Sequence, residues 1–424
     1  MQQISRHAQS RFITLLMGSM AAVLVIFIII YPDGAFQSSL QGLTVWWKIV
    51  FPALLPFLIL SELLIGFGVV QALGTLLEPL MRLLFRIPGI GGWAVAAGAV
   101  VGFPAGARIT ASIIEKELLT AKEAERLVAI SHLCSPIFLI TVVGVGFLQN
   151  VKLGLVLAVV HYLSAALTGW VMSIGSGFES IENGSRSERS TSKVQGSLIR
   201  KFLDTMQESY LQDGRAFGKL LGDAVSSSVQ TLMLIGGYMM IFSVMLNVVK
   251  LALIPEVAYA VEASLSWLHL GSETLKHLVS GLFEIHLGTY DVSQAAGAQP
   301  MWQIAVLSAF LGWGGLSAHA QVASITHRSP VRYLFFLTAR LLHAAFAFTL
   351  TIVLWNPLTR TISAATPAFL RIDPFTVQNV SPEAAKSAVP IARNFFEPMT
   401  GQLLLLLFAM IAISLLLRFF HKRI

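Results

Sequence analysis

Long apolar runs recur along the chain and dominate its pattern. The uncharged runs Phe12–Tyr31, Leu127–Gln149, Leu153–Gly175 and Val229–Val249 approach or exceed the roughly 20 residues that a helix needs to cross the hydrocarbon core of a bilayer. Because lipid cannot hydrogen-bond to the backbone, such segments must satisfy their own N–H and C=O groups, as helices do. The pattern therefore predicts an all-α, polytopic membrane protein.

Composition supports this class. Of the 424 residues, 55% are hydrophobic and 12% are charged, which is about half the charged fraction of a typical soluble domain. The single cysteine, Cys134, lies in an apolar run and excludes a disulfide framework or a cysteine-based metal site. The sequence contains no Walker A phosphate loop. We therefore expect no metal, no cofactor, and no redox or ATP-hydrolysing activity in this chain itself.

Positive charge is distributed as membrane topology requires. The net charge is +7, Arg6 and Arg11 precede the first run, and seven lysines and arginines lie from Arg186 to Lys219. Because such residues concentrate in cytoplasmic loops, we expect a cytoplasmic N-terminus and no nucleic-acid partner. The segments Pro32–Thr44 and Leu251–Leu275 contain neither lysine nor arginine and are predicted to be external.

A polar, serine-rich stretch, Ser176–Lys219, divides the apolar sequence into two halves. The predicted organisation is an N-terminal transmembrane helix with an external loop at 1–42, a first membrane repeat at 43–175, a cytoplasmic linker at 176–222, and a second repeat with a C-terminal helix at 223–424. One re-entrant hairpin and three spans in each half, together with the first span, give an odd number of crossings. The halves would then be inverted repeats, as in many secondary transporters.

The first half contains an apolar segment that is interrupted at "GFPAGAR". Gly102, Pro104 and Gly106 lie within five residues, and this combination disfavours an unbroken helix. Such a break survives in a membrane only where protein covers it or where it lines a wet cavity. Arg108 follows at once; its guanidinium costs at least about 2.5 kcal/mol at membrane depth. We expect it to meet an anionic group or ligand, the alternative being an interfacial arginine that reaches lipid headgroups.

A second interruption is predicted within "SHLCSPIFL". Pro136 disfavours helical geometry at Ser135, and this serine can cap a half-helix that begins near Ile137. A half-helix N-terminus presents backbone N–H groups that suit a carboxylate ligand. An ordinary proline kink is the alternative.

The second half repeats this pattern in "GWGGLSAHAQVAS". Gly314 and Gly315 precede Ser317, His319 and Gln321. If the tail is helical, Ser317 and Gln321 share a face with Ser324, whereas His319 lies off that face. Helix packing would explain the glycines equally well, but it does not explain the cluster of polar side chains.

Two acidic residues lie in apolar surroundings. Glu284, in "GLFEIHLG", would share a face with His286 only in an extended backbone. It could pair with Arg108, carry a coupling proton or cation, or lie at the external surface. Glu62, in "PFLILSELLIGFG", is costly at membrane depth unless it is protonated or paired.

Five motifs in this order resemble the YlbJ-type sporulation integral membrane proteins, which carry two nucleoside-recognition or "Gate" regions and are similar in plan to concentrative nucleoside transporters. The motifs are "PALLPFLILSELLIGFG", "GFPAGAR", "CSPIFLITVVG", "GLFEIHLGTY" and "GGLSAHAQV", and the resemblance covers roughly Leu43 to Trp355. It implies export of dipicolinic acid from the mother cell during sporulation. It also implies that the solute path is lined by Gly102, Pro104, Gly106, Arg108, Gly314, Gly315, Ser317, His319 and Gln321.

The leading hypothesis is therefore a secondary carrier or facilitator for a small anionic solute in a bacterial cell membrane, on the mother-cell side or in the outer forespore membrane. A nucleoside or another small solute is the alternative substrate, and a homo-oligomer is compatible with this plan. Two other classes stay open: an intramembrane hydrolase that uses Ser317 and His319, and a non-transporting scaffold in spore maturation. A hydrolase is disfavoured because those two residues are on different sides of a helix and no G-x-S-x-G elbow is present.

Overall fold

All regular elements that the structure, a computed structural model, describes are helices, as the sequence predicted. The described residues are 15, 18–19, 21–174, 198–252, 272–295, 299–327 and 329–365. The first half comprises α1 (Ala21–Ile30), α2 (Pro32–Val45), π1 (Trp46–Val50), α3 (Phe51–Gly66), α4 (Val69–Leu84), α5 (Gly91–Val100), α6 (Ala105–Glu115), α7 (Ala121–Ser131), π2 (Phe138–Phe147) and α8 (Val151–Ser173). The second comprises α9 (Leu198–Asp213), α10 (Phe217–Ala252), α11 (Ser272–Phe283), α12 (Ile285–Ser293), α13 (Pro300–Trp313), α14 (Gly315–Thr326) and α15 (Tyr333–Ala365).

Several of these helices are long and apolar enough to cross a membrane. In the described part of the chain there are five such stretches: Pro32–Gly66, Val151–Ser173, Phe217–Leu251, Pro300–Thr326 and Tyr333–Ile362. They agree with the prediction of an integral membrane protein. The predicted C-terminal helix, for which Gln402–Leu417 is the apolar run, and about half of the serine-rich stretch lie outside the described residues.

The segment predicted to be an external loop near the N-terminus is helical, so that part of the prediction is wrong. Pro32–Val45 forms α2, which continues through π1 into α3. Proline at the first position favours a helix start, and the hydroxyls of Ser38 and Thr44 each donate to the carbonyl four residues earlier at 2.7 Å. These two hydroxyls are therefore satisfied within the helix.

The second part of the predicted linker is also helical. Helix α9 packs on α4, where Lys201 Nζ lies 2.6 Å from Glu78 Oε2. Arg215, in the turn before α10, hydrogen-bonds to Asp213 and holds the pKa of that carboxyl below its usual value. Helix α10 begins at Phe217, well before the span predicted from Val229. The composition suggested irregular chain in this region, but the structure has an amphipathic helix, α9, followed by a turn with the ion pair between Arg215 and Asp213.

Both halves contain interrupted helices at the predicted places. In the first half, the break between α5 and α6 includes Gly102 with φ +93°, and the break after α7 ends at Ser135, whose Oγ accepts from the N–H of Phe138 at 3.2 Å. In the second half, α11 and α12 are separated at Glu284, and α13 and α14 at Gly314 with φ +90°. The interruptions predicted at Gly102, Ser135 and Gly314 and the Ser135 cap are confirmed, whereas the break at Glu284 was not predicted.

The first pair of interrupted helices is held by a close backbone contact. A Cβ on Gly98 of α5 or on Gly106 of α6 would overlap the carbonyl oxygen of Ser131 at the end of α7. The hydroxyl of Thr110 donates to Gly106 O at 2.8 Å and lies 3.4 Å from Ser131 Oγ. Because Gly98 and Gly106 have no Cβ, the backbones of α5 and α6 can approach the backbone of α7 closely, as small residues allow in other membrane helix bundles.

Asn150 is the N-cap residue of the long span α8. Its side chain caps α8 by accepting from the N–H groups of Lys152 at 3.0 Å and Leu153 at 3.3 Å. Replacing Asn150 with alanine is expected to lower the free energy of unfolding by about 1 kcal/mol, measured as a lower thermal midpoint in detergent. Asn356→Ala, at an exposed position inside α15, is the control; an equal loss in both variants would contradict the capping role.

Candidate functional site

The interrupted helices of both halves meet at a polar cavity. It consists of two adjoining hollows of about 160 and 210 Å³. The residues that line both hollows are Phe103, Pro104, Arg108, Thr231, Ile235 and His286. The first half contributes the break before α6, and the second half contributes the break before α12 and one face of α14. The freed backbone groups of the breaks therefore lie beside a space that can hold water or a solute.

Arg108 is the cation of this cavity. It lies in the first turn of α6, where its N–H donates to Pro104 O at 3.1 Å, and its exposed side chain lines both hollows. In the part of the chain that the structure describes, no carboxylate forms an ion pair with it. The ion pair with Glu284, one of the alternatives that the sequence left open, is not formed. The guanidinium therefore faces the cavity without a counter-ion from the described residues.

Glu284 instead pairs with its own neighbour. It is 2% exposed, and its backbone is extended, with φ −144° and ψ 127°. This conformation places its Oε1 2.7 Å from Nδ1 of His286, while Oε2 accepts from the N–H of Leu287 at 2.7 Å. The carboxylate thus caps α12 and lies at the positive end of the helix dipole. The spacing of Glu284 and His286 predicted that they could share a face only in an extended backbone. The structure has this extended backbone at Glu284, and it brings the two side chains together.

Helix α14 divides its polar residues between two sides. Ser317, Gln321 and Ser324 line the smaller hollow, as their spacing predicted. His319 does not reach it: one ring nitrogen lies 3.2 Å from Trp313 O and the other 3.1 Å from the Tyr333 hydroxyl. The predicted role of His319 at the cavity is therefore not supported by its position. With both nitrogens engaged elsewhere, His319 also cannot activate Ser317, so the geometry does not support the hydrolase.

The other predicted residues fall into two groups. Gly102 and Ser135 line the larger hollow, whereas Gly106, Gly314 and Gly315 line neither. A Cβ on Gly314 would lie 3.4 Å from His132 Nε2, and one on Gly315 would lie 3.0 Å from Ile285 N. These two glycines therefore bring the breaks of different helices into contact and do not contact the cavity themselves.

Glu62 reaches the cavity from α3. It lines the larger hollow, and Oε1 accepts from the Ser227 hydroxyl of α10 at 3.3 Å. Thr231 of the same helix lines both hollows. Sequence reasoning missed Thr231, although a signal was present: Ser226, Ser227, Ser228 and Gln230 directly precede it and form a polar cluster at the start of the apolar run.

Arg340 was also missed, although a signal was present. Arg340 and His343 lie within the apolar run "YLFFLTARLLHAAFAF", and ionisable residues inside a membrane span are rare and usually functional. Both are buried in the structure next to the break that follows α7.

The fold and site define a class: a polytopic helical membrane protein whose interrupted helices line a cavity that contains charged and polar side chains. The family model described as "Gate: Nucleoside recognition" matches residues 47–151, from π1 to the start of α8. The sporulation integral membrane protein YlbJ of Bacillus subtilis (strain 168) is 39% identical over 355 residues, which are 82% of this chain and 84% of the relative. The chain therefore belongs to the YlbJ family of sporulation integral membrane proteins. No solved structure matches it.

Proposed function

We propose that this protein is a secondary carrier or facilitator that exports a small anionic organic solute, dipicolinic acid, from the mother cell during sporulation. The observation that carries the proposal is the cavity lined by the broken helices of both halves and by Arg108, with which no carboxylate of the described residues forms an ion pair. The family of the B. subtilis relative supports the setting in sporulation. The corresponding location is the mother-cell side or the outer forespore membrane.

The cavity has the chemistry that an aromatic dicarboxylate needs. Pro104, which precedes α6, lines both hollows, and Ser317 in the first turn of α14 lines one, so two helix N-termini lie at the cavity. Helix N-termini attract carboxylates through their N–H groups and dipoles. Glu284 is already bonded to α12 and His286, which reduces its repulsion of an incoming anion. In this proposal, α5–α6 and α13–α14 are the re-entrant hairpins of two inverted repeats.

A nucleoside is the second candidate substrate. The matching family is described by nucleoside recognition, and two carboxylates, Glu62 and Glu284, line the hollows. Carboxylates with Ser, Gln and His side chains suit a neutral solute with several hydrogen-bonding groups. Transport of labelled uridine that dipicolinate does not inhibit would favour this alternative.

Arg108→Ala tests the proposed role directly. In vesicles that contain the purified protein, dipicolinate flux at limiting concentration is expected to fall about tenfold or more, because the variant loses a charge-assisted contact worth roughly 1.5–3 kcal/mol. Lys116→Ala is the matched control: this cation lies just after the end of the same helix, is exposed, and does not line the cavity.

Two results would contradict the proposal. Unchanged flux in Arg108→Ala would remove Arg108 from the binding site. Normal dipicolinate accumulation in a deletion strain whose spores still fail to mature would favour a non-transporting scaffold.

A further inference from the structure

Arg340 of α15 is a buried cation that the proposed solute path does not use. It is 1% exposed, and among the described residues no carboxylate contacts it. A guanidinium inside a membrane bundle is costly unless other groups compensate its charge. The hydrogen bonds of Arg340 show which groups these are.

The guanidinium donates to the ends of two interrupted helices. Nη1 donates to the carbonyl of His132, which caps α7, at 2.9 Å, and Nη2 donates to Ala129 O in the last turn of α7. Nη1 also lies 3.5 Å from Gly312 O in the last turn of α13. One helix belongs to the first half of the chain and the other to the second, so this side chain joins the two halves beside their breaks.

These ends provide the missing counter-charge. The last carbonyls of a helix have no intrahelical partner and carry the negative end of the helix dipole. Two such ends that converge inside a membrane bundle would repel each other and remain unsatisfied without a cation. In carriers with discontinuous helices, free carbonyls of this type commonly coordinate a coupling Na⁺.

We propose that Arg340 is a positioning residue. Its guanidinium occupies the carbonyl site, the space between the last carbonyl groups of α7 and α13, where a free cation would otherwise bind. It thereby keeps these two helix ends, and the breaks that follow them, in contact. His343 supports it, since its Nδ1 lies 3.1 Å from Arg340 Nη1 and its Nε2 lies 3.1 Å from His161 O. The proposal does not depend on which solute the cavity binds.

The chain has a natural reporter for this break. Cys134 is the single cysteine, is 2% exposed, and donates its N–H to His161 Nε2 at 3.0 Å. It lies between His132, which Arg340 binds, and Ser135, which lines the larger hollow. Its rate of alkylation by a small membrane-permeant maleimide therefore measures how often the break opens.

The experiment compares Cys134 alkylation in the purified full-length protein and in three variants. Arg340→Met is expected to be alkylated about tenfold faster than the wild type, and millimolar guanidinium is expected to slow it again by replacing the lost group. Arg340→Lys should be intermediate, because an ammonium keeps the charge but loses the planar fork that reaches both helix ends. Arg360→Met, at an exposed position of the same helix, should match the wild type.

A second measurement needs no variant and remains informative if Arg340→Met does not fold. Wild-type alkylation is expected to be the same in sodium chloride as in choline chloride, because the carbonyl site is already filled. Slowing by sodium of about fivefold or more would overturn the proposal, since it would reveal a site that binds the free ion. Wild-type alkylation rates in a folded Arg340→Met protein would overturn it as well.

Discussion

Glu284→Ala is expected to lower the free energy of unfolding by about 3 kcal/mol or more. The substitution removes the cap of α12 and leaves Nδ1 of His286 and the N–H of Leu287 without their partner in a buried site. Loss of the cap alone accounts for about 1 kcal/mol, and the remainder is the cost of unpaired buried polar groups. The thermal midpoint of the purified protein in detergent is the measurement.

The amide variant separates hydrogen bonding from charge. Glu284→Gln keeps an oxygen that can accept from Leu287 N–H, so it is expected to lose no more than about half as much stability as Glu284→Ala. Glu115→Ala, at an exposed position at the end of α6, serves as the control and should change the free energy of unfolding by less than about 0.5 kcal/mol. If Glu284→Ala were as stable as this control, the capping and pairing roles would both be wrong.

Gly106→Ala is expected to destabilise the protein by about 3 kcal/mol. Its new Cβ would overlap the carbonyl oxygen of Ser131, which is backbone and cannot rotate away as a side chain would. The contact between α6 and α7 must then widen, and this would also disturb the adjacent Arg108. We expect a lower thermal midpoint together with weaker binding of the transported solute.

Gly222→Ala is a matched control for this substitution. Gly222 lies inside α10, and among the described residues no atom beyond the neighbouring backbone of its own helix lies within 4 Å of the position of its Cβ. Alanine there should be neutral or slightly stabilising, because it has the higher helix propensity. Equal midpoints for the two alanine variants would show that the close contact at Gly106 is unnecessary.

Local chemistry explains which parts of the fold could be predicted. The breaks at Gly102 and Gly314 were visible because glycine at positive φ, or proline without an N–H, prevents a helix within a few residues. The cap at Ser135 could also be predicted, because the hydrogen bond from the N–H of Phe138 to the Ser135 side chain lies within one helical turn. The face shared by Ser317 and Gln321 followed from helical spacing.

The failures have physical reasons of their own. His319 was predicted to lie at the cavity because the sequence around it repeats the pattern of the first half. In the structure it packs against Trp313, with ring centroids 4.1 Å apart, and points away from the cavity. Pro32–Thr44 was assigned to an external loop because it contains no lysine or arginine. That signal concerns the side of the membrane and not the backbone conformation, and the segment is helical, with hydroxyls that bond within the helix. Glu284 has two possible partners by charge, and the extended backbone at that one residue selects His286 over Arg108.

The sequence by itself determined the membrane class, the span that forms α8, and the helix breaks at Gly102, Ser135 and Gly314, because hydrophobic length and backbone stereochemistry act over a few residues. Only the tertiary structure decided what the breaks face. Arg340 and His132 are 208 residues apart in sequence, and nothing local to either one indicates that a guanidinium of the second half binds the end of a helix in the first. That choice depends on how whole helices pack, and therefore on contacts summed over both halves of the chain.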